Sequence, residues 1–381
     1  MHKSNFKTFV ASLVASTYLF ASAGPVQACT SILVTDKNGN GYHGRTLEYS
    51  SSVPTQLTYF PAGTRIASTT PSGKQGITFN TKYAILGMTA PMVPTAKQVS
   101  FAEGMNEQGL SFSMNWLNNS TSPPVGSDDS KILAVNDLGA WILGNFKTVA
   151  EVKAAMTSGS TQFWVPIVPF LDPSSPMPQH YAINDKNGGS LVVEFTHGKT
   201  NVYDNPVGVM TNGPEFNWHL ENLSNYTFTN KDKNTGQLGK LKLATQDAGI
   251  ALTALPSAQT SQGRFVKAAF YANYVQKAKT PEQAIITLGH IMNNFDRPKD
   301  LTVDDAGGVG DGTRTKAISS EVTVWTVMND LSRNLYYLRT INALNWSVID
   351  MNQLKEVKTI KSISTNDVDK SGADVFSLFL K

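Results

Sequence analysis

The chain holds one cysteine, Cys29, and the residues on either side of it decide what a thiol there can do. Before it stands Pro25-Val26-Gln27-Ala28, with Val26 and Ala28 acceptable at the two positions a signal peptidase reads. Further upstream, Lys3 and Lys7 make a positive start and Phe9–Phe20 a mostly apolar run through Val10, Leu13, Val14 and Leu19. This pattern predicts an export signal over residues 1–28, because the apolar run is shorter than the roughly 20 residues of a membrane-spanning helix. Cleavage after Ala28 makes Cys29 the first residue of a mature chain. Three readings then compete: a lipid-anchored cysteine, a nucleophile whose own α-amine serves as base, and a small buried hydrophobe. Gln27 fits a lipoprotein signal poorly. The sequence Cys29-Thr30-Ser31-Ile32-Leu33-Val34-Thr35 also runs straight into a strand-like segment where a lipid tether would be polar and flexible. On these residues alone all three readings stay open.

Other chemistry is poorly supported. A single cysteine excludes an intrachain disulfide and a cysteine-clustered zinc or iron–sulfur site. The histidines, at positions 2, 43, 180, 197, 219 and 290, show no metal-ligand spacing. GxSxG, SxxK and HExxH are all missing from the mature chain. Asp304-Asp305-Ala306-Gly307-Gly308-Val309-Gly310-Asp311-Gly312 resembles a calcium loop only superficially, lacking the alternating oxygen ligands and the closing Glu, and reads as an exposed turn. The sequons at Asn118 and Asn119 carry no functional weight.

The elements that must position Cys29 follow from pattern. Strands are expected at Cys29–Thr35, Tyr42–Thr46, Leu57–Phe60, Tyr83–Met88, Leu110–Met114, Tyr181–Asn184, Leu191–Thr196 and Val207–Met210. A late group follows at Glu321–Met328, Leu335–Thr340 and Trp346–Ile349. Turns at Asp36–Gly41 and Asp185–Gly189 suit residues with positive φ. Helices are expected at Asp137–Phe146, Val149–Met156, Phe216–Tyr226, Gly263–Lys277 and Pro281–Asn293, the last opened by a proline in its first turn. Strand runs flank helix blocks without regular alternation, which predicts an antiparallel α+β fold. Pro123–Lys131, Pro173–Pro178, Asn230–Gly239 and Asp304–Thr313 read as surface loops, and none divides the chain into separate units.

With 381 residues, 40% hydrophobic and 16% charged, the composition is that of a folded globular chain and excludes a disordered or collagen-like one. Lys and Arg number 32 against 29 Asp and Glu, a net +3 that includes Lys3 and Lys7 of the leader. A basic surplus or stripe of the kind that binds nucleic acid is missing.

Seven short blocks occur in one order: Cys29; Gly44-Arg45-Thr46-Leu47-Glu48; Gly104-Met105-Asn106-Glu107-Gln108-Gly109-Leu110; Thr211-Asn212-Gly213-Pro214; Arg264-Phe265-Val266-Lys267-Ala268-Ala269-Phe270; Val324-Trp325-Thr326-Val327-Met328-Asn329-Asp330; and Tyr336-Tyr337-Leu338-Arg339-Thr340. Together they resemble the choloylglycine hydrolase family, which comprises bile salt hydrolases and penicillin V acylases within the N-terminal nucleophile hydrolases. The resemblance covers essentially all of residues 29–381 and favours the nucleophile reading of Cys29.

The resemblance implies a single domain over 29–381 with a four-layer αββα fold, two stacked antiparallel sheets between helices. Its chemistry is that of a cysteine amidase: the thiolate of Cys29 attacks a linear amide while the free α-amine, with a reference pKa of roughly 7.7–8, shuttles the proton. Arg45 is implied as a cation beside the thiol. Glu48, where the family more usually has Asp, is implied to orient the amine, and Arg264 to support the electrostatics of the site. Asn212 is implied to turn its side-chain NH2 toward the oxyanion. After Leu110 the family places an oxyanion or substrate-pocket residue. Trp116 is the first choice for a substrate wall, Asn115 the alternate, and Tyr49 a second aromatic wall.

An aryloxy side chain stacking on Trp116 and Tyr49 makes penicillin V the preferred substrate, with conjugated bile salts and acyl-homoserine lactones as alternatives. No metal or organic cofactor is required. The expected partners are a small amide substrate and the signal peptidase. Neither nucleic acid nor, after cleavage, a membrane is expected to bind, and a homotetramer follows by analogy. Periplasm or secretion is the expected location. The rival of another class is a lipid-anchored binding protein without turnover.

Overall fold

The computed structural model describes residues 28–49, 55–91, 99–168, 172–227, 235–245, 248–299, 301–305, 318–371 and 375–380. The expected export signal lies outside them up to residue 27, as does most of the calcium-like loop. The first element is a hairpin. β1 (Cys29–Thr35) pairs with β2 (Gly41–Tyr49) so that Cys29 faces Leu47 and Ser31 faces Arg45. Asp36 closes it, its Oδ1 accepting the backbone N–H of Asn38 at 2.8 Å and of Asn40 at 2.9 Å, with Gly39 at φ 84°. β2 continues three residues beyond the expected Thr46. Those added residues carry Glu48 and Tyr49 to the strand's far end.

The hairpin forms the middle of the first sheet, in the order Val209–Met210, β1, β2, Ile318–Asp330, Leu335–Thr340 and Ser347–Asp350, with Thr302–Asp305 also on Ile318–Asp330. The second sheet runs Lys199–Asp204, Ser190–Thr196, Gln179–Asp185, Leu110–Trp116, Val99–Asn106, Ile85–Pro91, Gln56–Phe60 and Lys361–Ser364. Neighbours in both sheets are antiparallel.

Helices α1 (Leu138–Asn145) and α2 (Val149–Thr157) cover the outer face of the second sheet, and their shared core holds Phe101, Phe112, Leu143, Val152 and Tyr181. A shorter helix, α3 (Phe216–Asn222), continues as a 3-10 turn over Leu223–Tyr226. α4 (Ser261–Tyr274) and α5 (Pro281–Met292) cover the first sheet through Ile32, Phe265, Leu288 and Met292. Between the sheets lies a third apolar layer with Leu33, Leu47, Leu86, Met105, Trp325 and Leu338. This is the αββα arrangement. Gly44 permits its closeness on the α5 side, since a Cβ there would lie 2.7 Å from Met292 Sδ.

Several elements differ from expectation. Val99–Asn106, an interior strand, escapes the pattern because Glu103, Gly104 and Asn106 interrupt its apolar positions. The edge strand Lys199–Asp204 and the small hairpin of Arg65–Thr69 with Gln75–Asn80 are too polar to announce themselves. Three expected loops overlap short strands, Asp172–Pro176, Thr235–Leu238 and Thr302–Asp305.

The Gly104–Leu110 block is structural. Asn106 Oδ1 accepts the N–H groups of Gln108 and Leu110, both at 3.0 Å, while its Nδ2 donates to Leu143 O at 2.7 Å and Phe146 O at 2.8 Å at the end of α1. Asn106→Ala strands these buried partners and is expected to cost about 3 kcal/mol. Calorimetry should show a melting point lower by several degrees; an unchanged one would refute the role of this tie.

Candidate active site

Cys29 is buried at the start of β1, and the hairpin register places Arg45 diagonally across from it on the same face. Arg45 Nη2 lies 3.5 Å from Cys29 Sγ and also donates to Met114 O. Its Nε donates to Asn115 Oδ1 at 3.3 Å, and the guanidinium stands 4.8 Å from the centroid of the Trp325 ring. Nη1, equally buried, has no hydrogen-bond partner among the described residues.

Beyond Leu47 the pairing of β2 with Ile318–Asp330 slips by a bulge: Leu47 faces Trp325 but Glu48 faces Thr323. Such irregularities re-aim a side chain at a strand end. Glu48 is buried, its Oε1 accepts from Thr323 Oγ1 at 3.2 Å, and its backbone N–H donates to Ala28 O at 2.9 Å. Burial pushes its carboxyl above the usual range, against the pull of Arg264, Arg297 and Arg45.

Arg264, in the first turn of α4, clamps the start of β1. Nη1 donates to Cys29 O and, at 2.7 Å, to Thr30 Oγ1; Nη2 donates to Asn212 Oδ1 at 2.7 Å; Nε donates to Gln259 O at 3.1 Å. The planar fork suits four acceptors in fixed directions. Burial pushes its pKa down to about 10, with Glu48 opposing, so it stays charged at neutral pH.

Asn212 Oδ1 also accepts from Cys29 N at 2.7 Å. With two donors converging on one atom, that atom is the oxygen. The NH2 consequently points away and donates to Trp116 O at 3.1 Å. One of its two N–H groups is committed there, which is a different use from the oxyanion contact implied by the resemblance.

The thiol's own acidity also differs from the simple expectation. Burial pushes Cys29 up to about 11; Arg45 and Arg264 pull it down and Glu48 pushes it up. With residue 28 attached, desolvation outweighs the neighbouring cations.

Beside Asn212 and Arg264 opens a cleft of about 900 Å3, bordered also by Ala28, Trp116, Pro214 and Trp218. Ala28, the residue an export cut would remove, is thus part of the wall. Trp116 is on the cleft, its Nε1 donating to Asn118 Oδ1. Asn115 is instead an internal tie: besides accepting from Arg45, it donates through Nδ2 to Thr211 O at 2.7 Å. Tyr49 ends β2 beside Val322 and is not among the described residues that line the cleft.

The structure therefore brings Cys29, Arg45, Glu48, Asn212 and Arg264 together with Asn115 and Trp116, and leaves Tyr49 apart. It adds residues that sequence reasoning missed. Arg297 and Glu321 form a buried ion pair at the cleft, and Arg297 Nη2 donates to Gln259 O, the carbonyl that Arg264 also uses. On the rim, Glu215 accepts from Asn119 Nδ2 at 2.6 Å and pairs with His197 Nε2 at 2.7 Å. Trp218 supplies a second indole. Arg297 follows α5 in an ordinary Asp-Arg-Pro turn, so nothing local marks it.

Two stacked antiparallel sheets between helices, with a buried thiol at the head of the first strand, define an amide hydrolase of the N-terminal nucleophile class. A sequence profile of linear amide C–N hydrolases, choloylglycine hydrolase family, matches residues 29–364, and the chain belongs to that family. It is 30% identical over 352 residues to a bile salt hydrolase/transferase of Clostridium perfringens, covering 90% of this chain and 100% of that protein. Similarity to a penicillin V acylase of Pectobacterium atrosepticum is lower, 24% over 257 residues, covering 66% of this chain and 61% of that one.

Among solved structures, a variant of the conjugated bile acid hydrolase from Clostridium perfringens superposes with a TM-score of 0.72 at 27% identity, covering 89% of this chain and 97% of that one. The penicillin V acylase from Agrobacterium tumefaciens gives 0.67 at 25%, covering 88% and 90%. The enzyme acts on linear amide C–N bonds.

Proposed function

We propose that the chain is exported to the periplasm or beyond, loses residues 1–28, and then hydrolyses N-acyl amides through a thioester on Cys29. The observation that carries this reading is the position of Cys29 N. It is buried, held by Asn212 Oδ1 at 2.7 Å, and bonded to the very residue that borders the cleft. Before the cut this nitrogen is a peptide amide with no basic lone pair; after it, a primary amine stands beside the thiol and within the field of Glu48.

The amine takes the thiol proton as sulfur attacks the carbonyl carbon. The same proton passes to the leaving nitrogen as the C–N bond breaks, leaving the acyl group on sulfur. Water, giving a proton to the amine, then attacks the thioester; the acid leaves and the thiol takes its proton back. The second N–H of the Asn212 amide and the unpartnered Arg45 Nη1 are the donors for the tetrahedral oxygen.

Conjugated bile salts are the first substrates in this reading, because the bile salt hydrolase relative is matched over its whole length and the penicillin V acylase relative over 61%. Penicillin V is the second, favoured by the two indoles, Trp116 and Trp218, that border the cleft. The test is a panel on the trimmed protein: glycine- and taurine-conjugated bile salts, penicillins V and G, and long-chain acyl-homoserine lactones. A conjugated bile salt should give a kcat/KM at least about tenfold above the rest, a preference worth about 1.4 kcal/mol. A penicillin V preference would promote the second reading. No hydrolysis of any panel member above a Cys29→Ala background would reject both.

A further inference from the structure

Behind the thiol, the apolar layer between the sheets contains a buried polar chain: Ser31, His43, Glu103, Ser113, Asn329 and Tyr336. Alternation along the strands puts it there. Ser31 is two residues from Cys29 on β1, and His43 is two residues from Arg45 on β2, each pair sharing a face. Asn329 faces His43 in the first sheet, and Glu103 faces Ser113 in the second.

The hydrogen bonds have a direction. Tyr336 OH donates to Glu103 Oε2 at 2.6 Å and Asn329 Nδ2 donates to Glu103 Oε1 at 2.7 Å. Asn329 Nδ2 also faces His43 Nδ1 at 3.4 Å, which makes Nδ1 the acceptor and places the ring proton on Nε2. From there it is directed at Ser31 Oγ, 2.9 Å away, with Ser113 Oγ at 3.3 Å. The ring is neutral: burial and the charge of Arg45 push its pKa down to about 3.

A buried carboxylate is costly unless it balances a charge. Among the described residues the groups touching Arg45 are Cys29 Sγ, Met114 O, Asn115 Oδ1 and the Trp325 ring, none of them a carboxylate, and Glu48 acts on it only through the field. Glu103, on the other side of His43, acts on it electrostatically. We propose that Glu103 is a positioning residue for the reaction: it is a counter-charge to Arg45 across the inter-sheet layer, and through Arg45 it sets the acidity of Cys29. The inference rests on Cys29 being the reacting thiol.

The groups that bear on Glu103 are Tyr336, Asn329 and Arg45, all from the facing first sheet, with His43 Nδ1 of that sheet at 4.0 Å. Burial pushes its carboxyl up to about 7, against those hydrogen bonds and Arg45. Its negative charge, present above that pH, opposes a thiolate at Cys29.

Glu103→Gln removes the charge and keeps the shape. In the trimmed protein, iodoacetamide alkylation of Cys29 should match the parent below pH 6 and exceed it about threefold above pH 8, the effect of roughly half a pKa unit. Tyr336→Phe, which withdraws a donor from the ionised carboxylate, should move the profile toward that of Glu103→Gln around neutrality. It carries the test alone if Glu103→Gln does not fold. An alkylation profile identical to the parent's in the folded variants, whatever their stability, would overturn the proposal. Because alkylation reads the thiol whether or not an amide is cut, a failed substrate panel leaves this measurement decisive.

Discussion

Cys29→Ser, exported and trimmed like the parent, should melt within about 1 kcal/mol of it and lose hydrolysis by a factor of at least roughly 1,000. The fold tolerates the exchange because Sγ contributes little packing that Oγ cannot replace, and the donors that reach it, Arg45 Nη2 at 3.5 Å and the backbone N–H of Glu48, can donate to either atom. Chemistry does not tolerate it. A thiol becomes a thiolate within reach of neutral pH once its surroundings favour the anion, whereas a serine hydroxyl stays protonated there and is a weaker nucleophile in a site shaped for sulfur. The shorter C–O bond also draws the nucleophile back from a carbonyl held by the cleft. The measurement pairs kcat/KM on the best panel substrate with a melting curve. Hydrolysis at the parent's rate would reject Cys29 as nucleophile. The lipid-anchor rival is decided on the same preparation by intact mass: a bare N-terminal cysteine supports catalysis and a diacylglyceryl adduct the anchor.

The site was legible in the sequence to the extent that chemistry clusters near chain landmarks. Cys29, Arg45 and Glu48 share one hairpin, and a hairpin can be read locally from alternation and turn residues. Asn212 and Arg264 needed the family blocks, since no spacing rule brings residues 183 and 235 positions away to the same residue. Sheet order was not legible for the same reason. β2 lies against Ile318–Asp330, and Gln56–Phe60 against Lys361–Ser364, pairings that local pattern cannot select.

The His43–Glu103 chain was hidden by its own physics. Polar residues at inward positions look like interruptions of a strand, so the pattern of Val99–Asn106 hides the strand at the very residues that matter most in it. The direction of the Asn212 amide could not be read either. It follows from two donors, Cys29 N and Arg264 Nη2, arriving from different elements.

Retaining Ala28 in front of Cys29 should suppress hydrolysis by about 100- to 10,000-fold, the usual worth of a positioned proton-transfer group. Two effects combine. The nitrogen held at Asn212 Oδ1 stays an amide and can accept no proton, and Ala28 stays in the wall of the cleft, where Glu48 N–H donates to its carbonyl at 2.9 Å.

The thiol reports the second effect separately. In the uncut chain burial pushes it up to about 11, so alkylation should be slow at neutral pH and climb about tenfold per unit toward that value. Trimming admits water to the sulfur, which relieves the penalty on the anion, and places an ammonium beside it, which stabilises the anion. Both changes lower the thiol's pKa. Alkylation at pH 7.5 should therefore be at least about tenfold faster in trimmed protein than in a chain beginning at Ala28. Equal hydrolysis by the two chains would remove the amine from the mechanism. Lost hydrolysis with equal alkylation would confine the amine to proton transfer and remove the leader from control of the thiol.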